Sequence, residues 1–216
     1  MAVLLAGDST VAACPPHEAP MSGWGASLGF FLPLGTVVRN FAKGGATTDS
    51  LRADGLWNAL LSELEPADLV LLQLGHNDQK SDAPDAVDHY RDNLAAMVAD
   101  VHRRAGRPVL CTSVQRRRFD GGRLVDTHGA FPTAVRELAS ELTVPLVDLT
   151  RRTTALLESR GEDGSRRLFT HLPPGAHPNY PDGVADDTHF AYAGADAVAE
   201  IVAREIQPFV EENVTV

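Results

Sequence analysis

The stretch Ala2-Val3-Leu4-Leu5-Ala6-Gly7-Asp8-Ser9-Thr10 sets the reading of the whole chain. Its apolar residues run without a polar interruption and stop at a glycine. A strand with one wet face alternates, whereas a strand covered on both faces does not, so the run predicts a central strand of a parallel sheet. Leu69–Leu74 repeats the pattern and stops at Gly75, and Val109–Thr112, after Pro108, is a third such run. Thr36–Phe41 is weaker and carries Arg39. Val144–Leu149 contains Pro145, which cannot donate to a ladder. Both read as edge strands.

Helical periodicity appears between these runs. Tyr90, Leu94, Met97, Val98 and Val101 share one helix face, as do Val135, Leu138, Ala139 and Leu142 within Pro132–Leu142. Val198, Ile201, Val202, Ile206 and Phe209 make a third stripe. The stripes read as core-facing. Strand–helix alternation implies parallel strands with right-handed crossovers. The predicted fold is a three-layer α/β/α domain with a five-stranded parallel sheet in the flavodoxin-like order 2-1-3-4-5. No repeat or linker divides the 216 residues, so residues 1–216 read as one domain. Gly161–Asp187, rich in proline and glycine, reads as one long irregular loop of a functional or mobile kind.

Composition narrows the function. The net charge is −10, which argues against a nucleic-acid partner. No apolar run reaches membrane-span length, so no membrane partner is expected. The two cysteines, Cys14 and Cys111, have neither disulfide-framework nor metal spacing and read as free thiols. The first residues lack a basic segment, so the expectation is a cytoplasmic protein, or a secreted one if a leader has been removed. The sequence does not speak to oligomeric state.

In open α/β sheets ligands bind beyond the carboxyl ends of the strands. There the first strand delivers Gly7-Asp8-Ser9-Thr10 and the second Asn40 and Gly44-Gly45. The third delivers Gly75-His76-Asn77-Asp78, and the fourth Ser113 to Arg118. Asp186-Asp187-Thr188-His189 falls before the last helix. These types answer the needs of acyl transfer. A serine hydroxyl needs a base, histidine suits that task near neutral pH, and an acceptor must fix the imidazole's tautomer. Asp186, three residues before His189, fits a single tight turn; Asp187 rivals it on proximity alone. The tetrahedral intermediate needs fixed donors, which Ser9 N–H, Gly45 N–H and the Asn77 amide can supply. Gly44 is the alternative to Gly45. No metal or cofactor is called for.

These motifs resemble those of the SGNH (GDSL-type) hydrolase superfamily. Gly7-Asp8-Ser9 matches its first block, Gly45 its second, Gly75-His76-Asn77-Asp78 its third and Asp186-x-x-His189 its last. Gly23-Trp24-Gly25, Asn40-x-Ala42-x-x-Gly45 and Asp187-Thr188-His189-Phe190 are similar to the rhamnogalacturonan acetylesterase-like branch. The resemblance implies an α/β/α fold and an esterase acting on O-acetylated oligo- or polysaccharides without a required metal. It assigns Ser9 as nucleophile, His189 as base, Asp186 as orienter and Gly45 and Asn77 as oxyanion donors. The branch often has Arg-Ser after the second-block glycine, where this chain has Ala46-Thr47.

Three further residues on the rim, His76, Arg116 and Arg117, are candidates for substrate binding. Arg116-Arg117-Arg118 is an unexpected positive cluster in so acidic a chain, and suits the carboxylates of a uronic-acid polymer. Trp24 and Trp57 read as core. Two other functions remain open at this stage. One is a lysophospholipase- or thioesterase-type acyl esterase on the same scaffold, and the other a non-catalytic carbohydrate-binding domain.

Overall fold

The computed structural model describes residues 1–211. Its central sheet has five parallel strands: β1 (Ala2–Gly7), β2 (Val37–Asn40), β3 (Leu69–Gln73), β4 (Arg107–Cys111) and, after two short strands introduced below, β7 (Leu146–Val147). The order is β2-β1-β3-β4-β7, which is 2-1-3-4-5 when the sheet strands alone are counted. The two strands predicted at the edges are the edges.

Burial explains the unbroken apolar runs. Val3, Leu4, Leu5 and Ala6 are all fully buried, but successive side chains belong to opposite faces. Leu4 and Ala6 pack with α1 (Thr48–Ala53), α2 (Leu56–Glu63), α3 (Ala86–Arg103) and α4 (Phe131–Glu141). Val3 and Leu5 pack with α5 (Leu149–Ser165) and α6 (Tyr192–Glu211). Two cores thus lie on either side of one sheet, and the three-layer prediction holds. Trp24 and Trp57 belong to opposite cores, as expected of packing residues.

The sequence reading errs between residues 144 and 190. The last sheet strand is only Leu146–Val147; Leu149 already begins α5, whose N-terminus is capped by Asp148 accepting from Arg151 N–H. Its fully buried stripe is sparse, Leu149, Thr153 and Leu157 before the kink at Gly161, so helical periodicity is faint. The stretch 161–187 is not one irregular loop. It contains the end of α5, then β8 (Phe169–Leu172) and the start of β9 (Val184–Phe190), which pair antiparallel. Only about residues 173–183 connect them irregularly. A second small ribbon, β5 (Phe119–Asp120) with β6 (Arg123–Leu124), follows the arginine run.

Candidate active site

Two local devices bring the chemistry together, one at each end of the chain. The first is the turn after β1. The Asp8 carbonyl accepts from Val11 and Ala12 N–H, while its carboxylate Oδ1 accepts from Thr10 N–H at 2.9 Å and Thr10 Oγ1 at 2.7 Å. Ser9 is thereby held on a tight turn at the carboxyl edge of the central strand, and its own N–H has no acceptor among the described residues. The second device is a bulge in β9. Between the pairs Phe169↔Phe190 and His171↔Ala185, two steps along β8 face five along β9. The extra residues form a turn in which Asp186 Oδ1 accepts from Thr188 N–H at 2.7 Å and His189 N–H at 2.8 Å. Bulges of this kind re-aim side chains beside active sites, and Asp side chains commonly close such turns. Beyond the bulge, Phe190 is buried against Phe169, with ring centroids 5.0 Å apart.

The two devices meet. Ser9 Oγ lies 2.9 Å from His189 Nε2, and His189 Nδ1 lies 2.7 Å from Asp186 Oδ2. Burial would raise the Asp186 pKa, but the hydrogen bonds from the His189 ring and from the backbone N–H groups of His189 and Thr188 outweigh it and hold the carboxyl below its ordinary value. An ionised carboxylate only accepts, so Nδ1 carries the imidazole proton and Nε2 presents its lone pair to the serine hydroxyl. Asp187, the sequence rival, is turned elsewhere: it contacts Arg117 Nη1 at 2.8 Å and His171 Nε2 at 2.7 Å.

Hydrogen-bond donors gather beside the hydroxyl. Lys43–Ala46 is a turn closed by Ala46 N–H to Lys43 O, with Gly45 at φ +77°. A Cβ placed on Gly44 would sit 4.0 Å from Ser9 Cβ, so this turn abuts the nucleophile. Gly45 N–H has no acceptor among the described residues. Asn77 Nδ2 donates to Ala46 O at 3.0 Å and Asn77 Oδ1 accepts from Lys80 Nζ at 2.7 Å, which fixes the amide and leaves its second N–H. Asn77 reaches this place because the chain turns at Gly75, where φ is +127°. There a Cβ would lie 2.7 Å from Ser113 Oγ and 3.2 Å from the Tyr90 hydroxyl. Neither the backbone angle nor the space admits a side chain.

Two predicted substrate contacts are corrected. His76 is 3% exposed. Its Nδ1 lies 3.1 Å from Asp8 Oδ2 and its Nε2 donates to Val114 O at 3.0 Å. Both nitrogens are used internally, so His76 props up the nucleophile turn and does not face substrate. Asp8 is fully buried, which would raise its pKa; the charge and hydrogen bond of His76 and the bonds from Thr10 more than compensate, and the pKa is lowered. Arg117 is also occupied. Besides Asp187, it donates through Nη2 to Glu162 O at 2.7 Å, and its backbone N–H donates to Asp187 O at 2.8 Å. It fastens the bulge of β9 to α5. Arg116 remains half-buried beside Thr127 O and His76 O. Sequence reading did not reveal the Arg117–Asp187–His171 cluster, because it joins residues far apart in the chain. Among the described residues no group of three or more His, Cys, Asp or Glu side chains is arranged to hold a metal ion.

A serine, histidine and aspartate in hydrogen-bonded series, at the carboxyl edge of a doubly wound parallel sheet, define a serine hydrolase of the α/β/α type. The chain belongs to the GDSL-like lipase/acylhydrolase family, whose model matches residues 5–197. It is 46% identical over 206 residues to rhamnogalacturonan acetylesterase RhgT of Bacillus subtilis, covering 95% of this chain and 89% of that protein. It is 30% identical over 209 residues to the probable rhamnogalacturonan acetylesterase YesY of the same organism, covering 95% and 92%. The crystal structure of B. subtilis protein YxiM superposes with a TM-score of 0.81 at 27% identity, over 95% of this chain and 56% of that longer one. A catalytic mutant of Axe2, an acetylxylan esterase from Geobacillus stearothermophilus, shares the fold with a TM-score of 0.65 at 20% identity, covering 95% and 93%.

Proposed function

We propose that the protein is a serine esterase that removes O-acetyl groups from a carbohydrate, by way of an acetyl-enzyme. The observation that carries this reading is the series Ser9 Oγ, His189 Nε2 and Nδ1, Asp186 Oδ2, at 2.9 and 2.7 Å. In it Ser9 attacks the acetyl carbonyl carbon while its proton passes to His189 Nε2. The charge that develops on the carbonyl oxygen is met by the N–H groups of Ser9 and Gly45 and by the Asn77 amide. As the tetrahedral intermediate collapses, the C–O bond to the sugar breaks and His189 returns the proton to the departing hydroxyl oxygen. Water then attacks the acetyl-enzyme with the same base, releasing acetate and restoring the Ser9 hydroxyl. Asp186 stabilises the imidazolium in both halves.

The polar side chains around the site, Asn77 and Arg116 among them, support a sugar over a fatty acyl chain. The RhgT and YesY relatives point to acetylated rhamnogalacturonan-type saccharides. The test is acetate release from acetylated pectin, xylan and small sugars, beside a chain-length series of nitrophenyl esters. Acetate should be released from at least one polymer, Ser9→Ala should abolish it with the fold intact, and the ester series should peak at acetate. A peak at octanoate or longer sinks the carbohydrate reading in favour of a lipid acyl esterase.

A further inference from the structure

We propose that Lys80 polarises the Asn77 amide, so that an ammonium charge that touches no reacting atom strengthens one donor of the oxyanion site. The proposal rests on the acetylesterase reading above and adds one positioning residue to its chemical step.

A short local device brings Lys80 to Asn77. After β3 the chain makes a single 3₁₀ turn, Asp78–Lys80, preceded by Asn77 as its N-cap. Lys80 N–H donates to Asn77 O at 3.1 Å and closes the turn. Side chains three residues apart eclipse in a 3₁₀ turn, so Lys80 lies over Asn77. Its Nζ donates to Asn77 Oδ1 at 2.7 Å, the length of a charge-assisted bond. At the other end of the amide, Nδ2 donates to Ala46 O at 3.0 Å. The two partners fix which way the amide faces. Exchanging Oδ1 and Nδ2 would set donor against donor at Lys80 and acceptor against acceptor at Ala46. Of the 19 basic residues only Lys43 and Lys80 are lysines. Lys43 pairs with Asp54 at 2.6 Å, whereas Lys80 forms no ion pair with a carboxylate among the described residues. A compact ammonium suits a single carbonyl oxygen, where a guanidinium fork seeks two acceptors.

The consequence lies in the electronics of the amide. A positive charge on the amide oxygen draws electron density from the nitrogen, and both N–H groups become stronger donors; hydrogen bonds in series reinforce one another in this way. One of those N–H groups is spent on Ala46 O, and the other is the donor assigned to the acetyl oxygen. That oxygen is neutral in the bound ester and negative in the tetrahedral intermediate. A stronger donor therefore acts more on the transition state than on the ground state, which lowers the barrier and leaves substrate affinity nearly alone. Among the described residues, Lys80 is the one charged group hydrogen-bonded to any of the three oxyanion donors. Its side chain is exposed, so solvent screens part of the charge, and the effect should be smaller than that of the donor itself.

The experiment measures kcat and KM on nitrophenyl acetate for the natural sequence, Lys80→Met and Lys80→Arg, with circular dichroism confirming that each is folded. Lys80→Met keeps the length of the side chain and removes its charge. It should lower kcat about tenfold with KM little changed, and Lys80→Arg should recover most of the loss. The decisive comparison is made in the Asn77→Ala background. There Lys80→Met should cost nothing more, because the amide through which it acts is gone. An unchanged kcat in Lys80→Met, a loss confined to KM, a loss as large in Lys80→Arg, or a further tenfold loss on top of Asn77→Ala overturns the proposal. A second readout is free of the saccharide question: the rate at which a nitrophenyl phosphonate modifies Ser9, which also places negative charge at the oxyanion position. A rate about tenfold slower in Lys80→Met supports the role of Lys80 even if no acetylated saccharide is turned over, in which case the carbohydrate reading has failed alone. Modification at the natural rate overturns that role whatever the saccharide activity.

Discussion

His128 is the group through which mild acid should weaken this fold. It is 2% exposed, and its Nε2 lies 2.9 Å from Val114 O. A carbonyl only accepts, so Nε2 carries a proton, while Nδ1 lies 3.0 Å from the Gln79 side-chain oxygen and 3.5 Å from the Arg116 guanidinium. Burial first, then the nearby His76 and Arg116, push its pKa from 6.5 down to about 3, against weaker pulls from Val114 O and Asp126. In the unfolded chain the same imidazole titrates near 6.5. Between about pH 6.5 and about pH 3 the unfolded chain therefore binds a proton that the folded protein refuses. Stability falls as pH falls through that window, and is untouched by this group above it. At about pH 4.5, two units into the window, the loss is about 2.7 kcal/mol at 1.36 kcal/mol per unit, a large share of a typical domain's 5–15 kcal/mol. The assay is urea unfolding at about pH 7 and about pH 4.5 of the natural sequence and of His128→Gln, whose amide can still donate to Val114 O. Asp8 and Asp186, with lowered pKa values, keep their contribution above the ordinary carboxylate range and lose it as pH falls further. They are common to both proteins and cancel in the comparison. The natural sequence should lose about 2.7 kcal/mol more than the variant between the two pH values. An equal loss in both would refute the reasoning.

Three other outcomes follow from the site. Asn77→Ala should lower kcat for acetate release by about 10²–10³, the usual cost of one oxyanion donor, with KM little changed in steady-state assays. Asp186→Asn, which presents an amide in place of the acceptor that fixes His189 Nδ1–H, should lower kcat by about 10⁴ on nitrophenyl acetate while leaving the circular dichroism spectrum intact. His76→Leu strips the buried Asp8 carboxylate of its charged partner and should cost about 3–5 kcal/mol in urea unfolding; adding Asp8→Leu should recover part of that loss.

Most of the scaffold could be read from the chain because burial on both faces writes itself as unbroken apolar runs. Val3 to Ala6 and Leu69 to Leu72 are both of this kind, and the polar residues after each run mark the rim. What could not be read was side-chain direction. His76 follows β3 just as Asn77 does, yet after the turn at Gly75 it lies inward against Asp8 while Asn77 stays partly exposed. Arg116, Arg117 and Arg118 are identical in sequence character, and only tertiary partners separate them. The β8–β9 ribbon escaped for a related reason. Its stabilising pair, Phe169 with Phe190, spans the irregular connection, and the residues that would mark a strand are interrupted by the Asp186 to His189 turn.

That interruption is itself the link from fold to chemistry. In a regular strand, side chains three positions apart point to opposite faces, and Asp186 could not reach the ring of His189. The bulge removes this constraint, and the two backbone N–H bonds to Asp186 Oδ1 define the turn that replaces it. A bulge alone is a place where a strand bends, so it must be fastened. Arg117 does so from one side through Asp187, while Phe190 does so from the other through the core. At the other end of the chain Asp8 is fastened by Thr10 and His76. The 2.9 Å between Ser9 and His189 is therefore a distance between two separately braced turns, joined through the sheet and not through a shared loop. Weakening either brace should misplace one partner without unfolding the other, which is why Arg117 and His76, neither of them touching the reacting atoms, carry as much of the geometry as the triad itself.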